Sequence, residues 1–415
     1  MLLLSLIPVA IFAAVPQALS DYLNREDKTF GWKPLPDVAG SKAWEMTSHT
    51  WQGIPWRHTV TLTRPSTDDA QGGCILLITG GRPNPTDLGL ARQLANHARL
   101  PVAILFDIPN QPIDGRYEDD LIAHTFERYL ATGDASWPLL FPMAKSALRA
   151  MDLLEKATNE EGRPIRRFVV TGASKRGWTT WFVGVSGDRR VAGIAPMVID
   201  NLNLVAQMRH QQEIWNGYSP QIADYTRRGL QQMLDTPMGR KLAEIVDPYS
   251  YRQRLKSPVL IVNGANDAYW AVDALSLYWP ELPSPKSAIL VPNAGHDLGD
   301  KLTAMATISA FARSCLLRRP WPQIDWKLSP ETMDVRISRA KPESCTVWVA
   351  ESEDNRFVES QWRPSAGPPV QGAGPWTVRV PQPRASKPFA WFVSFRFREG
   401  AGSYDLSTGA VLVRR

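Results

Sequence analysis

The sequence predicts an α/β chain: a mostly parallel sheet wound with helices on both faces, followed by a small antiparallel β domain. Three observations carry this expectation. Short, continuous apolar runs recur along the first three quarters of the chain and end in turn residues, as strands buried on both faces do. Segments of helical period lie between these runs, and such alternation marks a doubly wound sheet. After Pro320-Trp321-Pro322 the apolar period changes to two, the signature of half-buried antiparallel strands.

Taken in order, Trp44–Thr50 and Arg57–Thr63 read as two strands joined by a turn at Trp51–Trp56, and 64–73 is a loop of Pro, Ser, Asp and Gly. The apolar runs are Cys74–Thr79, Val102–Phe106, Phe168–Thr171, Val191–Ile199, Pro258–Asn263 and Ala288–Pro292. The helical patterns are Asp87–Ala98, Phe141–Ala157, Trp178–Val185 and Leu302–Leu317. Residues 201–255 interrupt the alternation with Gln-rich and Arg-rich helical stretches. An insertion of this kind between sheet strands forms a cap over a cleft, or else a long crossover packed on the sheet. Beyond Pro322, alternating runs at Met333–Ser338, Cys345–Ala350, Trp376–Val380 and Phe389–Phe397 predict a β sandwich. The expected division is a leader at 1–20, an α/β domain at 21–322 with its insertion at 201–255, and a β-sandwich domain at 323–415.

Composition narrows the function classes. The 415 residues are 44% hydrophobic and 21% charged, ordinary globular usage. The formal charge of +6 comes from 47 Lys plus Arg scattered among 41 Asp plus Glu. No dense basic run appears, so nucleic acid is not an expected partner. The first twenty residues carry no charged side chain, and Leu2–Val15 is almost wholly apolar. Ala18 and Ser20 place small residues before a cut at Asp21, so the segment reads as a secretory signal peptide, although it lacks a basic start; an uncleaved anchor is the alternative. The mature chain is expected to have no membrane span and to be exported, periplasmic or secreted. Cys74, Cys315 and Cys345 make no disulfide framework, although the last two could pair. With the six histidines also dispersed, no metal site and no cofactor is expected.

The chemistry concentrates at Thr171–Trp178, TGASKRGW, between an apolar strand and a helical segment. A sharp strand–turn–helix junction lifts one side chain above the sheet, and its strained backbone needs small neighbours, here Gly172 and Ala173 before Ser174. The usual G-x-S-x-G has Gly two residues after the Ser. Here Arg176 stands there and Gly177 follows. A serine hydroxyl needs a base. In the chain order Ser, acid, His, the only histidine after residue 210 is His296, in a loop beyond an apolar run. The acid is expected at Asp267, after the preceding run, where it would hold the imidazole tautomer; Asp200, at the end of an earlier strand, competes for that role. Backbone N–H groups of Lys175 and Gly81 are the expected oxyanion donors. Arg176 and Trp270 are candidate substrate-binding residues; Lys175 and Arg176 either bind a substrate carboxylate or lie solvated at the helix start.

These segments resemble the PhoPQ-activated pathogenicity-related proteins of the α/β-hydrolase superfamily. The resemblance rests on Asp21-Tyr22-Leu23, DDLIAHTF at 119–126, WPLLFPMAKSALRAMD at 137–152, FVVTGASKRGWTTW at 168–181, GAND at 264–267 and NAGHD at 293–297. It implies an α/β-hydrolase fold, an exported location and a Ser174–Asp267–His296 triad. The G-x-S-x-x-G form is also similar to that of glucuronoyl esterases, in which a basic residue after the serine assists the oxyanion.

The expected function is therefore a serine hydrolase that cleaves an ester, or else an amide as a peptidase does, in a small-molecule or peptide substrate. The alternative is a non-catalytic binding protein on a hydrolase fold, contacting a cell-surface partner through its C-terminal domain. Fold alone does not separate them.

Overall fold

The computed structural model describes residues 15–299, 301–400 and 402–414. The apolar part of the expected leader, residues 1–14, lies outside them.

Nine strands build the central sheet: β1 (Gly31–Val38), β2 (Ser41–Trp51), β3 (Ile54–Thr63), β4 (Gly73–Ile78), β5 (Val102–Leu105), β6 (Arg167–Ala173), β7 (Val191–Met197), β8 (Val259–Gly264) and β9 (Lys286–Val291). Their spatial order is β1-β2-β3-β5-β4-β6-β7-β8-β9. β1 to β3 and the β3–β5 pair are antiparallel, and every later pairing is parallel. β4 and β5 are nearly all apolar because both faces of the sheet are covered. Alternate residues serve different layers: Ile75, Val169 and Leu260 face one core, and Leu76, Val170 and Ile261 the other.

The helices are α1 (Ala18–Leu23), α2 (Pro85–Ala98), α3 (Glu118–Thr132), α4 (Leu140–Glu160), α5 (Lys175–Gly184), α6 (Leu204–Trp215), α7 (Ala223–Thr226), α8 (Leu230–Met233), α9 (Pro237–Val246) and α10 (Leu302–Leu317). α2 and α10 cover one face of the sheet; α1, α3, α4 and α5 contribute to the core of the other. α6 to α9 make up most of the insertion between β7 and β8. Part of it is tied to α3: Arg228 reaches Glu127 at 2.5 Å and also pairs with Asp120, and Tyr225 donates to Asp119 at 2.9 Å.

α1 bears on the expected leader. Leu19 is completely buried, and Arg254 donates to Ser20 Oγ and to the Pro16 carbonyl. A cut before Asp21 would therefore remove a core side chain along with the apolar segment.

The C-terminal strands are β10 (Gln323–Leu328), β11 (Thr332–Ser338), β12 (Ser344–Glu351), β13 (Arg363–Ala366), β14 (Trp376–Pro381), β15 (Phe389–Glu399), β16 (Gly402–Ser407) and β17 (Val411–Val413). They form two antiparallel sheets, β10-β11-β14 and β13-β12-β15-β16, with β17 paired to β15. Met333, Val335 and Val380 of one sheet share a core with Trp391, Val393 and Phe395 of the other. That core continues into the α/β domain: Trp321 stacks on Tyr404 with centroids 5.0 Å apart, and Phe311 of α10 packs edge-on against Trp321. Ser407 accepts the Leu290 N–H at 2.9 Å, joining β16 to the edge strand β9. Cys74, Cys315 and Cys345 are all free thiols.

Candidate active site

Ser174 follows β6 and precedes α5 with φ +57° and ψ −123°. An L side chain seldom adopts this conformation, and it is held here because the neighbouring backbone is pinned. Ser174 N–H donates to Met197 O at 2.9 Å, and its carbonyl accepts from Trp178 N–H at 2.9 Å. The glycine spacing has a steric cause. A Cβ on Gly177 would sit 2.6 Å from Ile199 and 2.7 Å from Met197 O. One on Gly172 would sit 2.8 Å from Arg176 O. The first turn of α5 thus crosses β7 at Gly177, one residue later than in the usual pattern, and position 176 is free to carry a long side chain.

Asp267 and His296 come from the ends of β8 and β9. His296 Nδ1 donates to Asp267 Oδ2 at 2.8 Å, and Tyr269 N–H donates to Asp267 Oδ1 at 2.9 Å. With Nδ1 as donor, neutral His296 presents Nε2 as an acceptor. That atom is buried and has no partner among the described residues. Tyr269 stacks on the imidazole, with ring centroids 4.2 Å apart, and fixes its plane. The two loops are stitched together: Ala265 N–H donates to Val291 O and Asn266 N–H to Ala294 O, both at 2.9 Å.

Ser174 and His296 line the same cleft beneath the insertion, with Lys175, Trp178, Tyr269 and Trp270. The cleft encloses about 770 Å3, its open mouth included, and its walls are mainly apolar side chains such as Phe126, Ile199, Met208 and Leu230. Three other histidines are engaged elsewhere. His49 and His58 share Ser48 Oγ at 2.9 Å in the core, where burial pushes them down to about 3 and about 4. His210 donates to Asp273 at 2.8 Å.

Asp200, the competing acid, is bound to the Tyr278 hydroxyl. Burial pushes its carboxyl up to about 7 against that hydrogen bond, and the nearby Asp267 and Asp273 charges add to the rise. It makes no hydrogen bond to His296.

The two basic residues after the nucleophile are neither solvated nor free. Arg176 is buried, forks onto both Glu118 oxygens at 2.6 Å, and donates from Nε to Ile108 O at 2.5 Å. A Cβ on Gly80 would overlap this guanidinium, so Gly80 makes room for Arg176. Burial raises the Glu118 carboxyl, but Arg176, Gln111 and Lys175 outweigh it and hold it at about 2. Arg176 therefore does not serve the cleft directly. Lys175 does line the cleft, and its ammonium pairs with Asp119 at 2.8 Å and Glu118 at 3.3 Å. Burial lowers Lys175, but Asp119 and Glu118 outweigh it, so the ammonium stays charged. Gly81 is not among the cleft-lining residues; its carbonyl accepts from Asp107 N–H at 3.0 Å. Trp270 lines the cleft.

Several contributing residues lie outside the sequence expectation. Asp119 joins Lys175 beside the nucleophile to Tyr225 of the insertion. Asn266 and Asn293 connect the acid and histidine loops to the C-terminal domain. Asn266 donates to Phe357 O at 2.8 Å, Val358 O at 3.2 Å and Ser360 O at 2.7 Å. Asn293 exchanges two bonds with the Trp362 backbone, at 2.8 and 3.0 Å. The same loop, with Glu359, Ser360 and Gln361, walls a second, open groove that reaches His296. Asp119 lies in a quoted family segment, and Asn266 adjoins the acid; a one-dimensional reading gives neither a partner.

The comparisons agree with this architecture. An acetyl xylan esterase from Paenibacillus sp. R4 superposes with a TM-score of 0.52 at 14% identity, covering 72% of this chain and 92% of that one. This likeness shows the α/β-hydrolase fold alone. Autocrine proliferation repressor protein A of Dictyostelium discoideum is 32% identical over 353 residues, 79% of this chain and 70% of that protein. A sequence model of the PhoPQ-activated pathogenicity-related proteins matches residues 19–357, which takes in the strained serine turn, the acid and histidine loops and the start of the C-terminal domain, and the chain belongs to that family.

Proposed function

We propose that the protein is an exported serine hydrolase with Ser174 as nucleophile, His296 as base and Asp267 as the group that orients the base. The observation that carries this reading is the pairing of His296 Nδ1 with Asp267, which leaves Nε2 without a partner among the described residues, on a histidine that lines the same cleft as Ser174. In this mechanism Ser174 Oγ bonds to the acyl carbon while its proton passes to His296 Nε2. The C–O or C–N bond then breaks, and the leaving group takes that proton. Water repeats the attack, releases the acid and restores the serine. Lys175 N–H, at the start of α5, is the proposed donor to the developing oxyanion, with a second donor from the loop after β4. Carboxylic ester cleavage is the first choice and amide cleavage the second, since the same steps serve both.

Export is proposed from the apolar Leu2–Val15 stretch. No helix among the described residues is long and apolar enough to cross a membrane.

A second reading has support in one relative, whose name records an autocrine repressor of proliferation. On that reading the chain binds a cell-surface partner, through the C-terminal domain, without turnover. Hydrolysis of a panel of p-nitrophenyl esters by wild type and Ser174→Ala separates the two. Turnover that falls by ~10³-fold or more in the variant supports the hydrolase; equal rates from both proteins would contradict it.

A further inference from the structure

Two spaces meet at the proposed base. His296 and Tyr269 line both the cleft beneath the insertion and the open groove beside it. Ser174 lines the cleft and is not among the residues of the groove. The groove runs between the insertion, which supplies Gln221, and the 358–361 loop of the C-terminal domain. The mechanism gives the two spaces different occupants. The acyl group stays bonded to Ser174 Oγ throughout the intermediate, so it needs the space that Ser174 lines. The alcohol or amine takes its proton from His296 as its bond to the acyl carbon breaks, and so departs on the histidine's side, where the groove opens.

The two linings differ in chemistry. The surface open in the cleft is almost wholly apolar, from side chains such as Trp178, Ile199, Met208 and Leu234. Its charged wall residues besides His296 are Asp119 and Lys175, which pair with each other at 2.8 Å. A charged acyl group would lose its water there without a free counter-ion, whereas each apolar CH2 gains by burial. The groove is polar. Gln221, Glu359 and Gln361 line it and are exposed. Their side chains have no hydrogen-bond or ion-pair partner among the described residues. The two amides offer N–H donors as well as carbonyl acceptors, and the carboxylate accepts only. Among the described residues no Lys or Arg lines the groove, so an anionic leaving group would face Glu359 without a counter-charge. A cation would find one exposed carboxylate, a screened and weak partner. Uncharged hydroxyl groups donate and accept, and so suit all three side chains.

We infer that the cleft is the acyl site and the groove the leaving-group site, with Gln221 and Gln361 as specificity-determining residues on its two walls. The substrate class is an ester of an apolar carboxylic acid with a polyhydroxylated alcohol. In the acylation step the bond from Ser174 Oγ to the acyl carbon forms and the ester C–O bond breaks. The alcohol leaves along the groove with the proton from His296. The C-terminal domain thus selects the leaving group although it supplies none of the proposed triad. This rests on the reading of Ser174 as nucleophile.

The acyl side is read from p-nitrophenyl acetate and p-nitrophenyl hexanoate, each kcat/KM divided by that ester's own hydroxide rate. At about fourfold per buried CH2, wild type is expected to prefer the hexanoate by ~10²-fold. Leu234→Trp, which fills part of the cleft, is expected to cut that ratio by about tenfold. The leaving-group side is read from 1-monohexanoylglycerol. The double variant Gln221→Leu, Gln361→Leu is expected to lower kcat/KM for that ester by about tenfold. It should leave unchanged the rate at which the hexanoyl-enzyme formed from p-nitrophenyl hexanoate breaks down, because the alcohol has gone by then. Equal normalised rates for acetate and hexanoate, or no turnover of the glycerol ester, would overturn the inference. So would a double variant that turns over the glycerol ester like wild type, or that slows acyl-enzyme breakdown as much as its formation. A fluorophosphonate probe run alongside distinguishes the levels. Covalent labelling of Ser174 with none of these preferences defeats the two-site assignment alone, whereas no labelling and no turnover of any ester defeats the hydrolase reading. If Leu234→Trp does not fold, the wild-type ratio and the exposed glutamine variants decide.

Discussion

Asn266 Nδ2 lies 2.7 Å from the carbonyl oxygen of Ser360, so the residue next to the proposed catalytic acid is hydrogen-bonded to the C-terminal domain. The same amide reaches the carbonyls of Phe357 and Val358. Asp267 is thus braced from a domain that supplies none of the proposed triad. Asn266→Ala removes the donor and leaves three carbonyls to find other partners. It is expected to lower stability by about 1–3 kcal/mol in chemical denaturation. It is also expected to reduce kcat/KM for any ester substrate by roughly tenfold, through a loosened acid. Full activity alongside the stability loss would show that the brace serves folding only.

Gly264 governs how close the acid and histidine loops come. A Cβ there would lie 2.3 Å from Gly295 O and 2.4 Å from Ala294 O, both backbone atoms that cannot swing aside. Gly264→Ala must push β8 and the histidine loop apart. The expected result is a fall in kcat of ~10²-fold, since about 1 Å of misplacement at a reacting centre costs that much. Steady-state kinetics with circular dichroism as a folding control checks it.

Asp200 and Asp267 are expected to separate cleanly. Asp267→Asn should lower kcat by ~10⁴-fold through the wrong imidazole tautomer. Asp200→Asn keeps an acceptor for Tyr278 and should retain turnover. Its signature is in stability. In the folded chain Asp200 keeps its proton up to about 7, against an ordinary value of 3.8. Between those values the folded state binds more protons than the unfolded state, so wild type loses stability as pH rises through that window. The Asn variant lacks this loss and should gain on wild type from about pH 4 to about pH 7, then level off. Denaturant midpoints across that range measure it.

The C-terminal domain should be inseparable from the hydrolase domain. A chain ending at Pro322 would uncover α10, remove Tyr404 from Trp321 and Ser407 from β9, and free Asn266 and Asn293. It is expected to aggregate and to lose activity. A soluble, fully active truncation would contradict this.

How much of this was legible in sequence depended on burial. β4 to β9 stand out because both faces are covered and their side chains are nearly all apolar. β1 carries Pro34 and Pro36 and is largely exposed, so it has no such pattern; prolines are tolerated there because it is an edge strand. α3 opens with Glu118-Asp119-Asp120, a polar turn that hides the helical period of Leu121, Ile122, Thr125, Phe126 and Tyr129. At the site, residue type and chain order select Ser174, Asp267 and His296. The partner of Arg176 does not follow from order, because Glu118 lies 58 residues away and meets it only in the fold. The same holds for Asn266, whose partners at 357–360 lie about 90 residues away.

The most direct test of Ser174 as nucleophile is the intact mass of the protein after incubation with a fluorophosphonate. The prediction is a single adduct on wild type, mapped by peptide digestion to Ser174. It should be absent from Ser174→Ala and strongly slowed in His296→Ala, because the hydroxyl then lacks its base. A folded wild-type protein that gains no mass, or one labelled equally with Ser174 replaced, would contradict the serine-hydrolase reading.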